Sequence, residues 1–124
     1  EKGEKYFKEI EEKNILNILQ KKNVIISLGG GSILNKKVRD KVSKVSLTIF
    51  LDVKINILYR RLKNSKNRPL LKDCNILTKL KKLDKDRRKY FLESDILINN
   101  SKSLDESINK FYDYFLLNEK NNKN

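Results

Sequence analysis

Residues 24 to 34 read Val-Ile-Ile-Ser-Leu-Gly-Gly-Gly-Ser-Ile-Leu. The first five, rich in β-branched and apolar side chains, have the length and composition of a short buried strand. Three consecutive glycines then close it, in a chain that has only four glycines in all. Main chain without side chains can be approached closely, and in open α/β sheets ligands bind beyond the carboxyl ends of the strands. A tight strand-to-helix turn needs one or two glycines. Three together point to a ligand whose anionic or hydroxyl groups meet main-chain N–H groups.

The rest of the chain supplies the elements such a strand requires. A helical pattern runs from Glu4 to Gln20, with Phe7, Ile10, Ile15, Ile18 and Leu19 on one stripe. Residues 35–43 read as a short polar helix and residues 45–51 as a second strand closed by Asp52. A helix over 54–63, a loop over 64–73 around the one proline, and a long helix over 75–93 follow. A third strand at 95–98 and a helix at 104–117 complete the domain, and an Asn/Lys-rich tail over 118–124 is expected to be disordered. The strands are apolar throughout rather than alternating, which is the pattern of a parallel sheet covered on both faces. The expected fold class is therefore α/β, a three-layer α/β/α domain over residues 1–117. Three strands are few against the usual five or six or so, so the architecture reads as truncated.

Composition narrows the functions this fold could carry. The formal charge of +13 comes mostly from Lys spread along the length. A nucleic-acid-binding reading rests on that net charge alone, because no Arg cluster interleaved with aromatics accompanies it; a solvated Lys-rich surface is preferred. The chain has one cysteine, Cys74, and no histidine, so an internal disulfide and a His/Cys metal site are both excluded. No apolar run approaches the roughly 20 residues of a membrane span, and no charged-then-apolar leader opens the chain, so a soluble cytoplasmic protein is expected. There is no Met, and the first residue is Glu1; a processed form or a piece of a longer protein is expected.

Phosphate-binding motifs are excluded in turn. A dinucleotide fingerprint needs a glycine where Leu34 stands. A Walker A loop needs Gly-Lys-Ser/Thr, which the chain lacks. The long helix is more informative: Ile76, Leu80, Leu83, Tyr90 and Phe91 define its buried stripe, and Arg87 falls in the middle of it. An unpaired buried charge costs on the order of several kcal/mol. Arg87 must therefore find an anionic ligand, an ion-pair partner within the fold, or solvent at the helix end. Glu11 similarly lies on the apolar stripe of the first helix, with Lys8 one turn before it, which suggests a polar pocket beneath that helix. In "NSKNRPLLKD" Arg68 precedes Pro69; composition favours an ordinary basic loop, and the functional alternative is a mobile lid bringing a cation over a phosphate.

In their order, "GEKYFKEIEE", "SLGGGSI", "FLD", "RPLL" and "RRKYFLESD" resemble the successive motifs of shikimate kinases, ATP-dependent enzymes of the nucleoside-monophosphate-kinase type. The resemblance covers Gly3 to about Ile108 and corresponds to roughly the last two-thirds of the family's length. It implies phosphoryl transfer from MgATP to the 3-hydroxyl of shikimate, in aromatic amino-acid biosynthesis. It implies that Gly29, Gly30 and Gly31 cradle the ring substituents of shikimate and that Arg87 pairs with its carboxylate. Position on the stripe and spacing to Asp95 favour Arg87 over Arg88 for that role. Glu11 would orient Lys8 and line the same pocket, Arg68 would sit in the lid that closes on the ATP phosphates and act on the transferring group, and Lys102 is a weak match for a basic residue near adenine. Lys8 stands where the family usually has Arg, which keeps the charge and loses bidentate geometry. The family's first strand, which would run between the first two strands here, its P-loop and its Mg²⁺-binding residues would all precede Glu1. The isolated chain is thus expected to be inactive or nearly so, and monomeric if complete. The rival expectation is a degenerate, non-catalytic domain that binds shikimate-like carboxylates or docks on a partner.

Overall fold

Four apolar residues set four apart in pairs, Ile15 and Leu19, Val38 and Val42, form the core of the first part of the chain. Such pairs share one helix face, and here the two faces meet. Helix α1 (Gly3–Ile18) carries Ile15, with Leu19 just past its end, and α2 (Lys36–Val45) carries the second pair. The computed structural model describes residues 3–63 and 75–121, with side chains as far as 117. These divide into two units, Glu1–Thr48 with Asp86–Asp95, and Ile49–Lys85 with Ile96–Asn124.

In the first unit α1 ends at Ile18, two residues before the expected Gln20. Asn23, with φ of 55°, then turns the chain; Asn is among the few residues that enter this left-handed region readily. Residues 24–28 are extended but belong to no ladder among the described residues, which corrects the expectation of a strand there. Ile26 and Leu28 pack on the core while Ile25 is fully exposed. The alternation of a strand is thus present, but a strand is defined by its hydrogen-bonded neighbour, and the described residues supply none. A 3-10 turn (Ser32–Leu34) leads into α2, whose first turn is capped by Asn35: its side chain accepts the Val38 N–H at 3.2 Å.

In the second unit β1 (Ile49–Asp52) and β2 (Ile96–Asn99) pair in parallel, in register from Ile49↔Ile96 to Asp52↔Asn99. The Asn100 N–H donates to the Asp52 carbonyl at 2.7 Å, just past the ladder. The sheet therefore has two strands among the described residues, not three. Ile96 and Ile98 are buried, and α5 (Leu104–Asn121) packs along β2. On α5 the buried Ser107 hydroxyl donates to the Asn100 side chain at 2.9 Å. Leu51 and Leu97 stay about half exposed. Helix α3 (Ile55–Leu62) follows β1, and α4 (Ile76–Phe91) precedes β2. Along α4, Leu80 is buried, with Ile76, Leu83, Arg87, Tyr90 and Phe91 half-buried on the expected stripe. Helix α5 continues through Asn121, four residues into the segment expected to be disordered.

β1 begins at Ile49, not at 45: α2 runs on through Val45 to a cap at Ser46, and Thr48 is engaged with Asp95. Its amide and hydroxyl both donate to Asp95 Oδ2, at 2.7 and 2.6 Å, and the Asp95 N–H donates back to the Thr48 hydroxyl at 2.9 Å. These donors, the hydroxyl foremost, hold the Asp95 carboxyl below its ordinary range. No described helix is long and apolar enough to cross a membrane.

Candidate functional site

The glycine triplet lies between two charged side chains that the sequence singles out. A Cβ on Gly29 would lie 3.3 Å from Glu11 Oε1 and 3.5 Å from Ser32 Oγ. One on Gly30 would lie 3.1 Å from Arg87 Nη1, and one on Gly31 would lie 3.8 Å from Arg87 Nη2. None of the three has the positive φ that itself demands glycine. Their reason is space: with side chains present, the guanidinium of α4 and the carboxylate of α1 could not both come this close to main chain.

The turn is held in shape from below. The Ser32 N–H donates to the Gly29 carbonyl at 2.9 Å, which bends the triplet into the 3-10 turn. On the α1 side the Asn35 amide donates to Glu12 Oε2 at 2.6 Å, and Lys37 reaches Glu12 Oε1 at 3.1 Å. The Asn35 bond first and Lys37 second hold the Glu12 carboxyl below its ordinary value. Asn35 thus caps α2 and ties it to the residue beside Glu11.

Two polar atoms are left over. Arg87 Nε and Ser32 Oγ are buried and have no hydrogen-bond partner among the described residues. Buried donors without partners are rare in native proteins, because each carries an uncompensated desolvation penalty. Beside the turn lies an open groove of about 370 Å³, lined by Phe7, Glu11, Ile15, Ile26, Gly29 and Ser32 among others. One wall is apolar and the other carries a carboxylate, a hydroxyl and bare main chain, a lining suited to a small ring with polar substituents.

Lys8 and Lys102, also indicated by the sequence, have acidic partners of their own. Lys8 pairs with Glu4 at 2.9 Å, one helical turn earlier, and its side chain is exposed. That bond holds the Glu4 carboxyl below its ordinary value. Lys8 lines a separate charged concavity of about 510 Å³ together with Glu12 and Asn35. Lys102, after β2, pairs with Glu106 at 3.5 Å. Its carbonyl and that of Asn100 accept from Arg61, at 3.4 and 3.0 Å. Arg68, Pro69 and Cys74 lie outside the described residues. Sequence reasoning passed over Ser32, Glu12, Asn35 and Arg61; of these only Asn35 carried a local signal, an Asn immediately before a helical pattern.

No group of three His, Cys, Asp or Glu side chains able to hold a metal ion occurs among the described residues. With no Gly-Lys-Ser/Thr anywhere in the chain, the residues present do not make up a site for MgATP.

Comparison with known proteins points to one family. The shikimate kinase family model matches residues 1–115. The curated shikimate kinase of Aquifex aeolicus is 35% identical over 107 residues, covering 86% of this chain and 62% of that protein. The crystal structure of an Aquifex aeolicus shikimate kinase superposes with a TM-score of 0.73 at 32% identity, covering 98% of this chain and 69% of that one. The shikimate kinase structure from Bacteroides thetaiotaomicron superposes with a TM-score of 0.83 over 91% of this chain and 69% of that one; at 22% identity it speaks for the fold, a truncated P-loop-kinase α/β fold. The chain thus spans a little over three-fifths of the length of the curated relatives it matches. A family match over nearly the whole chain, relatives above 30% identity and a glycine turn set against a helix-borne arginine agree: this chain belongs to the shikimate kinase family.

Proposed function

We propose that this chain supplies the shikimate pocket of an enzyme that transfers the terminal phosphoryl group of MgATP to the 3-hydroxyl of shikimate, in aromatic amino-acid biosynthesis. The observation that carries the reading is Arg87: a guanidinium whose buried Nε has no partner among the described residues, set so close to Gly30 that a Cβ there would lie 3.1 Å from Nη1. A planar carboxylate is the natural complement of such a fork. The groove walls of Phe7 and Ile15 would take the ring, while Glu11 and the main chain at Gly29 would take its hydroxyls.

In this class of reaction catalysis is mostly positioning and charge neutralisation. MgATP supplies the phosphoryl group when bound; this chain's own residues bind and orient the acceptor. Arg68 would be the lid cation that steadies the transferring group, and Lys102 would stand near the adenine. Lacking a phosphate cradle, the 124-residue chain should bind shikimate and turn over little or none of it.

Titration calorimetry with shikimate tests this directly. The chain should bind it, and Arg87→Gln should weaken binding by a factor of roughly 30 or more, the scale of a charged hydrogen-bonded contact left unmade. Gly30→Ala places a methyl 3.1 Å from Arg87 Nη1 and should weaken binding by about tenfold while leaving thermal stability nearly unchanged, since a long side chain can move aside. Wild-type binding untouched by either change would sink the assignment. ATP- and shikimate-dependent turnover by this chain alone would refute the expected inactivity.

A further inference from the structure

We propose that Arg39 is a positioning residue for the site: it ties the turn behind the glycines to α4 and so sets where Arg87 meets Gly30. Arg39 lies on α2 and is half-buried. Its Nη1 donates to the Ile33 carbonyl at 2.8 Å, inside the 3-10 turn. The same guanidinium stacks over the Tyr90 ring, with its central carbon 3.9 Å from the ring centroid. Tyr90 is three residues past Arg87 on α4, so the two share a helix face.

The contacts therefore close a ring: Gly30 to Ile33 along the chain, Ile33 to Arg39, Arg39 to Tyr90, Tyr90 to Arg87 along α4, and Arg87 back to Gly30. Arg39 has no acidic ion-pair partner among the described residues; both its partners are neutral. That choice uses two properties peculiar to guanidinium, a flat face for stacking and donors in its edge. An ammonium at this position could not satisfy both at once. Small displacements of a binding group are costly to function out of proportion to their size, and this tie limits the freedom of Arg87 relative to the turn.

The inference rests on the shikimate-pocket reading for its ligand, and its test separates the two. In calorimetry with shikimate, Arg39→Gln should weaken binding about tenfold, the scale of one coupled contact. Arg39→Lys should not restore it, and Tyr90→Leu should reproduce the loss. In an Arg87→Gln background, Arg39→Gln should cost no further affinity. A purely structural residue would instead lower the melting temperature and weaken binding equally in both backgrounds, and that result would overturn the proposal. If the wild-type chain does not bind shikimate, the pocket reading fails and the side-chain Nε–Hε resonance of Arg87 decides. It should shift or broaden in Arg39→Gln and in Tyr90→Leu; an unmoved signal in both would overturn the tie itself.

Discussion

The unit of Glu1–Thr48 and Asp86–Asp95 is ordered by side chains, whereas that of Ile49–Lys85 and Ile96–Asn124 is ordered around a backbone ladder. In the first, Ile15, Leu19, Val38 and Val42 form a small core, and Ile26 and Leu28 rest on it from a segment with no ladder partner among the described residues. In the second, four residue pairs of parallel strand are covered by α5 near Ile96 and Ile98, while Leu51 and Leu97 remain half exposed. Side-chain contacts among helices and a turn can be complete within one stretch of chain. A sheet is complete only when both faces and both edges are occupied. The difference explains why the turn at Gly29–Gly31 is already set against Glu11 and Arg87, although the chain covers only about 62% of a curated relative's length.

The contrast is sharpest in the sheet itself, where the largest effect is expected. Ile98 is 2% exposed and its neighbour Leu97 is 52% exposed. Ile98→Ala should lower unfolding free energy by about 3 kcal/mol, from lost transfer energy and the cavity left behind. Leu97→Ala should lower it by less than about 1 kcal/mol. Urea unfolding of the two variants checks both figures. Equal losses would mean that the Leu97 face is covered in solution and that the two units do not differ in this way.

What could be read from the sequence divides along the same line. The α4 stripe and the place of Arg87 on it depend on local periodicity, and they appear where periodicity puts them. The missing ladder at 24–28 could not be read, because apolar composition reports that a segment will be buried and not what will pair with it. Lys8 had acidic neighbours both three residues ahead, at Glu11, and four residues behind, at Glu4. The structure takes Glu4, in the Glu-before-Lys order that helices favour. The start of β1 moved because α2 holds Val45 and Asp95, 47 residues away, claims Thr48. Arg39 was invisible for the same reason: its partners are a main-chain carbonyl and a ring on another helix.

Within the first unit the next largest effect belongs to Asn35, which caps α2 and bonds Glu12. Asn35→Ala should destabilise the chain by about 1–2 kcal/mol, the usual range for losing an N-cap. Asn35→Asp keeps the cap acceptor but sets a second carboxylate against Glu12, so it should recover only part of the loss. Full recovery would show that the link to α1 contributes nothing and that the unit is held by its apolar core alone.

The smallest effect is the one that depends on pH. Asp95 accepts from both the amide and the hydroxyl of Thr48, and those bonds favour its charged form. Its folded pKa therefore lies below the ordinary aspartate value of 3.8. A group depressed in this way contributes stability that is fully present above the unfolded pKa and is lost as pH falls through the folded one. Because the carboxylate is exposed, solvent screening limits that contribution to about 1 kcal/mol or less. Thr48→Val removes the hydroxyl and leaves the amide bond, so part of the depression should persist. The expected signature is a difference in stability between wild type and Thr48→Val that is constant from pH 7 to about pH 5 and shrinks below about pH 4. It should be read from urea midpoints across that range. A difference that stays constant down to pH 2 would mean that the threonine acts through packing, and that even this exposed contact obeys the side-chain logic of the first unit rather than the electrostatics of its hydrogen bonds.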